Sequence, residues 1–259
     1  MSAPELDDDL RHALEAFCAR ARVLVASDYD GCIAPIQPRP DMAVPHPESL
    51  AALRDCAQRP NTLAAMVSGR ARDDLAAISG VADAPTDGLV LVGSHGAEFD
   101  TGFDQPLTVD QQALLDRIID EFRSLAARFA GTSVETKPAS TTLHVRNASE
   151  SDAAEALALA AAGPASWPGV HVTEGKAVVE LAVIETSKGL ALDRLRDEFG
   201  ADAVLYLGDD VTDEKAFAHL RTDSGDVGIK VGSGETGAAF RVPTTDHVAT
   251  VLEFVAARR

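Results

Sequence analysis

Short apolar runs that alternate with helical patterns occupy most of this chain of 259 residues. Leu10, Leu14 and Phe17 recur at helical spacing, and residues 23–26 (VLVA) follow as a run typical of a strand buried on both faces. The pattern continues with helices around residues 50–53, 73–78, 188–198 and 248–255 and with strands at residues 63–67, 89–92, 204–207 and 227–231. Strands that alternate with helices predict a parallel, doubly wound sheet.

The middle of the chain follows a different pattern, in which each helix precedes a pair of strands. The predicted helices and strands lie, in order, at residues 109–129, 133–136, 141–145, 150–162, 170–173 and 177–181. We therefore predict an α/β protein with a Rossmann-like, doubly wound parallel-sheet core made of residues 1–105 and 187–259. Residues 106–186 are predicted to form an inserted α+β cap domain with the order α-β-β-α-β-β.

Charge and cysteine content exclude several classes of function. The formal net charge of -18 makes nucleic acids and anionic membrane surfaces unfavourable partners. The chain has no run of about 20 apolar residues that could span a bilayer, and its acidic start lacks the pattern of a signal peptide. Cys18, Cys32 and Cys56 are odd in number and form no CxxC pair, so we expect reduced thiols in the cytoplasm rather than disulfides or a zinc site.

Two acidic clusters follow predicted strands. Asp28 and Asp30 come directly after the first strand, and Asp209 and Asp213 follow the strand at residues 204–207. The carboxyl ends of strands in an open α/β sheet line its binding crevice, so these side chains can converge there, and oxygen-only ligands favour Mg²⁺. The alternatives are a solvated turn at Asp28 and Asp30 and helix capping by Asp213.

Three further side chains suit an anionic ligand at the same edge of the sheet. Ser68 and Arg70 follow the second strand and offer a hydroxyl and a guanidinium for phosphate oxygens. Lys188 begins the first helix after the inserted segment and brings an ammonium group near the acidic cluster. Each residue alone is a weak signal, but together they indicate a site for a phosphoryl group.

These motifs resemble those of a known superfamily. The segments DYDGC, SGR, SKG and GDDVTDE look like the four motifs of the haloacid dehalogenase (HAD) superfamily. The segments GSHGAEF (93–99), VETKPASTTLHVR (134–146) and EGKAVVEL (174–181) are similar to those of trehalose-6-phosphate phosphatases. The chain departs from the resemblance at Cys32, where Thr or Val is usual, and at Ala182 and Val183, where a basic residue and Pro are usual.

The resemblance implies a magnesium-dependent phosphatase with an aspartyl-phosphate intermediate. Asp28 is then the nucleophile, and Asp30 protonates the leaving oxygen and later deprotonates water. Ser68 and Lys188 hold the phosphoryl oxygens, and Mg²⁺ is held by Asp28, the carbonyl of Asp30 and Asp209, with Asp213 behind them. The implied reaction is hydrolysis of trehalose 6-phosphate to trehalose and inorganic phosphate.

The resemblance also assigns substrate binding to the cap domain, which then sets specificity. Glu135, Lys137, Arg146 and Glu180 lie in strand-like segments and are expected to bind sugar hydroxyls and phosphate. Arg70 and His95 are expected to join these substrate-binding residues. The alternative is that these side chains form an ordinary polar outer face of an antiparallel sheet.

Other functions fit parts of the same pattern. A phosphatase of this class could act on sucrose 6-phosphate, a glycosyl-phosphoglycerate or another sugar, cyclitol or trehalose-like pseudodisaccharide phosphate. A phosphomutase forms the same aspartyl phosphate but returns the group to the sugar. A phosphoacceptor signalling module also pairs strand-end acids with Lys, but it needs no inserted domain. A monomer is slightly favoured over an oligomer.

Overall fold

The computed structural model describes residues 4–81, 88–100, 102–103, 107–175, 177–185 and 187–259. The chain divides into two compact units. One unit consists of Met1–Gly102 and Ser187–Arg259 and is called the core below. The other, Phe103–Thr186, is called the insert.

Helices and strands alternate along the chain as follows. Before the insert lie α1 (Asp8–Cys18), β1 (Val23–Ser27), α2 (Pro47–Ala57), β2 (Thr62–Val67), α3 (Arg72–Ser79), β3 (Leu89–Val92), β4 (Glu98–Phe99) and, at the boundary, β5 (Gly102–Phe103). The insert contains α4 (Val109–Arg128), β6 (Ser133–Thr136), β7 (Ser140–His144), α5 (Glu150–Ala162), β8 (His171–Gly175) and β9 (Val178–Ala182). After it come α6 (Lys188–Phe199), β10 (Ala203–Gly208), α7 (Val211–Ala218), β11 (Val227–Val231), β12 (Phe240–Val242) and α8 (Thr245–Ala256).

The core is built on a six-stranded sheet in the order β12-β11-β10-β1-β2-β3, with every neighbouring pair parallel. Val25 of β1 belongs to a buried apolar cluster with Leu14 of α1 and Leu53 of α2. Leu24 belongs to a second cluster with Leu192 of α6. Successive residues of one strand therefore point to opposite faces, and helices cover both faces. This confirms the predicted doubly wound parallel sheet.

The register of the central strands determines where the site forms. Ser27, the last residue of β1, pairs with Leu207 of β10 on one side and with Met66 of β2 on the other. The loops that follow these strands therefore leave the sheet at the same edge. The sequence missed β12, whose three residues include a single buried one and make no apolar run.

The insert packs two helices against a four-stranded antiparallel sheet in the order β6-β7-β9-β8. Leu143 and Val179 on one face of this sheet belong to a buried cluster with Phe122 of α4 and Ala160 of α5. The predicted α-β-β-α-β-β order is confirmed. No helix of the described residues is long and apolar enough to cross a membrane.

Candidate active site

The loops after β1 and β10 approach each other closely at the edge of the core sheet. The backbone N–H of Asp28 donates to the carbonyl of Leu207 at 2.8 Å, which continues the pairing of the two strands. Gly31 has a φ of +80°, and a Cβ atom at this position would overlap the carboxyl group of Asp209. Only glycine combines this backbone conformation with so close an approach.

Three carboxylates meet at this edge. Asp28, Asp209 and Asp213 each offer a ligand oxygen, and these atoms lie within 4.8 Å of one another. Burial raises the pKa of Asp28 well above its usual range, although the Lys188 cation opposes the shift. Burial and then the neighbouring Asp213 raise the pKa of Asp209 to about 7. Clustering of ionised carboxylates is thus unfavourable here, and an all-oxygen set of this kind suits a hard divalent cation.

Lys188 supplies a positive charge inside this acidic cluster. Helix α6 begins at Lys188 because the hydroxyl of Ser187 caps it, accepting from the N–H of Leu190. The Nζ atom of Lys188 lies 2.6 Å from Oδ2 of Asp28 and 2.7 Å from Oδ1 of Asp213. Burial alone would lower the pKa of Lys188, but the two carboxylates raise it by more, so this side chain is a permanent cation.

Asp213 is the hydrogen-bonding centre of the loop after β10. Its carboxylate accepts from the backbone N–H groups of Asp209 and Asp210, both at 2.9 Å, and from the hydroxyl of Tyr206 at 2.7 Å. Burial would raise the pKa of Asp213, but Lys188 and these hydrogen bonds lower it below its usual range. Asp213 therefore stays ionised and holds the loop in shape.

Sequence reasoning missed two residues that hold this loop. Tyr206 lies within the apolar run that predicts β10 and was counted only as an apolar residue. A fully buried tyrosine, however, requires a hydrogen-bond partner for its hydroxyl. Lys230 on β11 is also buried, and its Nζ donates to the carbonyl of Asp209 at 2.6 Å and lies 3.4 Å from the carboxylate of Glu214. A lysine within an otherwise apolar strand was the signal that could have identified it.

Ser68 and His95 lie together after β2 and β3. Ser68 is buried, and its carbonyl accepts from the backbone N–H of His95 at 2.9 Å. His95 adopts a left-handed backbone conformation with φ +54°, and its ring packs on Gly69, where a Cβ atom would overlap it. The strained backbone at His95 brings the imidazole onto the loop that carries Ser68.

Asp30 and Arg70 form a bidentate ion pair. Nε of Arg70 donates to Oδ2 of Asp30 and Nη2 to Oδ1, both at 2.7 Å. The sequence predicts that Arg70 binds phosphate oxygens, whereas here its guanidinium is paired with the predicted acid.

The insert carries a second buried polar cluster. The carboxylate of Glu180 accepts from Nζ of Lys137 at 2.7 Å and from the hydroxyls of Ser140 at 2.7 Å and Thr142 at 3.1 Å. Thr142 pairs with Glu180 on β9 and with Glu135 on β6, so these residues share the sheet face opposite to the apolar cluster. Ser140 and Thr142 were not identified from the sequence, because a hydroxyl in a strand has no distinctive pattern.

The remaining predicted residues of the insert lie on or beside the same sheet. Glu135 pairs with His144 at 2.8 Å, and this hydrogen bond lowers the pKa of Glu135. Arg146 was expected within a strand, but β7 ends at His144 and Arg146 lies in the exposed turn that follows. This placement is a correction: strand pairing stops at His144, and the chain turns at residues 146–147.

The core has a haloacid dehalogenase-like fold, with an acidic cluster at one edge of its sheet. A solved haloacid dehalogenase-like hydrolase from B. subtilis shares the fold, with a TM-score of 0.63 and 15% sequence identity over 89% of this chain.

The trehalose-phosphatase family profile matches residues 26–245, so the chain belongs to that family. A trehalose-6-phosphate phosphatase from Escherichia coli is 31% identical over 231 residues, which cover 88% of this chain and 84% of that protein. The C-terminal domain of a C. albicans trehalose-6-phosphate phosphatase has the same fold, with a TM-score of 0.80 at 23% identity, covering 99% of this chain and 98% of that one.

Proposed function

We propose that this protein hydrolyses trehalose 6-phosphate to trehalose and inorganic phosphate through a phosphorylated aspartate. The observation that carries the proposal is the position of Asp28 directly after β1, where it contacts the buried Lys188 cation within the acidic cluster, in a member of the trehalose-phosphatase family. The name of the Escherichia coli relative supports the choice of substrate.

In the first half-reaction, a carboxylate oxygen of Asp28 attacks phosphorus. A bond forms between this oxygen and phosphorus while the bond from phosphorus to the sugar oxygen breaks. A proton moves from the Asp30 carboxyl group to that sugar oxygen, so that a neutral alcohol leaves. In the second half-reaction, Asp30 takes a proton from water, and the water oxygen attacks phosphorus to release phosphate and free Asp28.

Charge on the phosphoryl group must be neutralised throughout. Lys188 and the hydroxyl of Ser68 are proposed to hold its oxygens. Asp28, the carbonyl of Asp30 and Asp209 would hold Mg²⁺, with Asp213 orienting the Asp209 loop by its hydrogen bonds. A bound Mg²⁺ would supply further positive charge to the transferring group.

The insert is proposed to provide specificity for the sugar. Glu135, Lys137, Arg146 and Glu180 offer charged groups to sugar hydroxyls and phosphate, and His95 on the core is proposed to assist. The alternative is an ordinary solvent-exposed face of the sheet. The buried Lys137–Glu180 pair supports a preorganised polar face instead, because a solvent-exposed face would leave these charged groups in water. A cytoplasmic location and a monomeric state stay predictions.

Phosphate release from a panel of esters tests the proposal. Trehalose 6-phosphate, sucrose 6-phosphate, a glycosyl-phosphoglycerate and a cyclitol phosphate would be compared with and without Mg²⁺, using Asp28→Asn as the control for background. The highest kcat/KM is expected for trehalose 6-phosphate with Mg²⁺. A clear preference for another ester would replace the substrate, and an isomeric sugar phosphate without free phosphate would indicate a mutase.

A further inference from the structure

The pairing of Arg70 with Asp30 is specific in geometry. Two nitrogens of the guanidinium fork meet the two carboxylate oxygens at 2.7 Å each. The side chain of Arg70 is 13% exposed and that of Asp30 33% exposed, so the pair is only partly open to water. A bidentate pair fixes both the position and the plane of a carboxylate, which a single hydrogen bond does not.

The guanidinium of Arg70 also contacts an aromatic ring and a backbone carbonyl. Its Cζ atom lies 5.5 Å from the centroid of the Tyr29 ring, and Nη2 also donates to the carbonyl of Pro40 at 2.9 Å. Tyr29 is completely buried, and its hydroxyl donates to the carbonyl of Ala43 at 2.7 Å. The guanidinium therefore has two contacts besides Asp30, the face of the Tyr29 ring and the carbonyl of Pro40.

The backbone of Arg70 is held as firmly as its side chain. Its N–H donates to the hydroxyl of Ser68 at 3.2 Å, and its carbonyl accepts from the N–H of Ser94 at 2.7 Å. A Cβ atom at Gly93 would lie 2.9 Å from this carbonyl oxygen, so the loop after β3 packs tightly against it. Arg70 lies in the loop after β2 and bonds to the loop after β3 and, at Pro40, to the loop after β1. Its guanidinium bonds at the same time to the side chain of Asp30.

We propose that Arg70 is a positioning residue that orients the Asp30 carboxyl group for proton transfer to the leaving alcohol. This role takes the place of direct binding to the phosphoryl group, and it rests on the proposed function, in which Asp30 is the acid. A carboxylate has about four lone-pair sites for hydrogen bonds. The Arg70 guanidinium occupies two of those of Asp30, so the other sites remain for the transferred proton. The proton leaves an Asp30 oxygen and bonds to the alcohol oxygen as that oxygen separates from phosphorus.

A positioning role predicts a dependence on the leaving group. An alcohol or phenol that forms a poor anion needs the proton as its bond to phosphorus breaks, whereas p-nitrophenolate is stable without it. A misplaced acid should therefore slow phenyl phosphate far more than p-nitrophenyl phosphate. A lost phosphate contact would instead slow the two esters equally, because both carry the same phosphoryl group.

The experiment measures kcat/KM for both aryl esters in the wild type, Arg70→Met, Arg70→Lys and Asp30→Asn. This constant reports the steps up to departure of the alcohol and is insensitive to the later attack of water. Arg70→Met should lose about 10-fold to 100-fold on phenyl phosphate and less than about 3-fold on p-nitrophenyl phosphate. Arg70→Lys keeps the charge but cannot form the fork, so its ratio of the two losses should resemble that of Arg70→Met.

Two comparisons sharpen the test. Arg72→Met removes a nearby guanidinium that pairs with Asp100 at 2.9 Å, and it should leave the ratio of the two rates unchanged. Adding Arg70→Met to Asp30→Asn should change that ratio little, because the acid is already gone. Circular dichroism and melting temperatures verify that each variant is folded.

Each alternative result has a distinct meaning. Equal losses on both esters, or normal rates with both, in Arg70→Met would overturn the positioning role. If Asp30→Asn changes the ratio while Arg70→Met does not, only this inference fails. If Asp30→Asn leaves the ratio unchanged, the acid assignment of the proposed function fails as well. Wild-type activity on aryl esters without activity on trehalose 6-phosphate would reject the substrate alone.

Discussion

Two replacements of Glu180 can distinguish its contribution to the stability of the insert from its proposed contribution to substrate specificity. Glu180→Ala removes the carboxylate to which Lys137, Ser140 and Thr142 donate. Glu180→Gln keeps a side chain of the same shape, with an oxygen that still accepts from Lys137 and Thr142 and an amide nitrogen that can donate to the hydroxyl of Ser140. The two variants therefore differ mainly in whether the buried cluster survives.

The size of the stability loss follows from the burial of the cluster. Lys137 is 6% exposed, and removal of one partner of a buried ion pair costs about 3–5 kcal/mol. Ser140 and Thr142 each lose a hydrogen bond worth about 1 kcal/mol. Glu180→Ala should therefore lower the free energy of unfolding of the insert by about 5–7 kcal/mol, and Glu180→Gln by about 1–2 kcal/mol.

The chain offers a convenient probe for this measurement. Trp167 is the single tryptophan, and it packs against the apolar cluster of the insert, so its fluorescence during urea unfolding reports on this domain. Glu174→Ala is a matched control, because Glu174 is an exposed residue of the same sheet. The control should unfold at the urea concentration of the wild type.

Activity of the stable Gln variant then tests specificity. We expect kcat/KM of Glu180→Gln for trehalose 6-phosphate to fall by about 10-fold or more, since a charge-assisted hydrogen bond contributes roughly 1.5–3 kcal/mol. The rate with p-nitrophenyl phosphate should stay near that of the wild type. Ala and Gln variants that unfold at the same urea concentration would refute the stability reasoning, and equal losses on both substrates would refute the specificity role.

Three further predictions concern the core. Asp28→Asn should abolish phosphate release with an unchanged circular dichroism spectrum, and turnover beyond a trace from deamidation would reject the nucleophile. EDTA should stop turnover, Mg²⁺ should restore it, and Asp209→Ala should raise the Mg²⁺ concentration required; full activity in excess EDTA would contradict the metal site. Burial raises the pKa of Asp209 to about 7, so protons compete with Mg²⁺ for this carboxylate below that pH. Because the folded state binds this proton more tightly than the unfolded state, the metal-free protein loses stability as the pH rises towards 7. The increase of Tm caused by Mg²⁺ should therefore be larger at about pH 8 than at about pH 6, and equal increases would contradict this assignment.

Local pattern was sufficient to predict most of the secondary structure. The apolar run at residues 23–26 forms β1, and the helical spacing of Leu10, Leu14 and Phe17 is that of α1. Both could be predicted because the spacing of apolar residues that a strand or helix buries is visible within a single segment. The sequence also identified Asp28, Asp209 and Asp213, since acids that directly follow apolar strands stand out without any tertiary information. It missed β12, where three residues carry too little pattern.

Partners of the polar side chains were decided only by the tertiary structure. Asp28 meets Asp213 and Lys188 because β1 lies beside β10 in the sheet and α6 begins at the same edge. Nothing local indicates that the guanidinium of Arg70 pairs with Asp30. A hydrogen bond requires two atoms within about 3 Å of each other at a suitable angle, and residue spacing along a chain contains no such distance. The helices and strands of this protein can therefore be predicted from its sequence, whereas the hydrogen-bond partners of its polar side chains are determined by the tertiary structure.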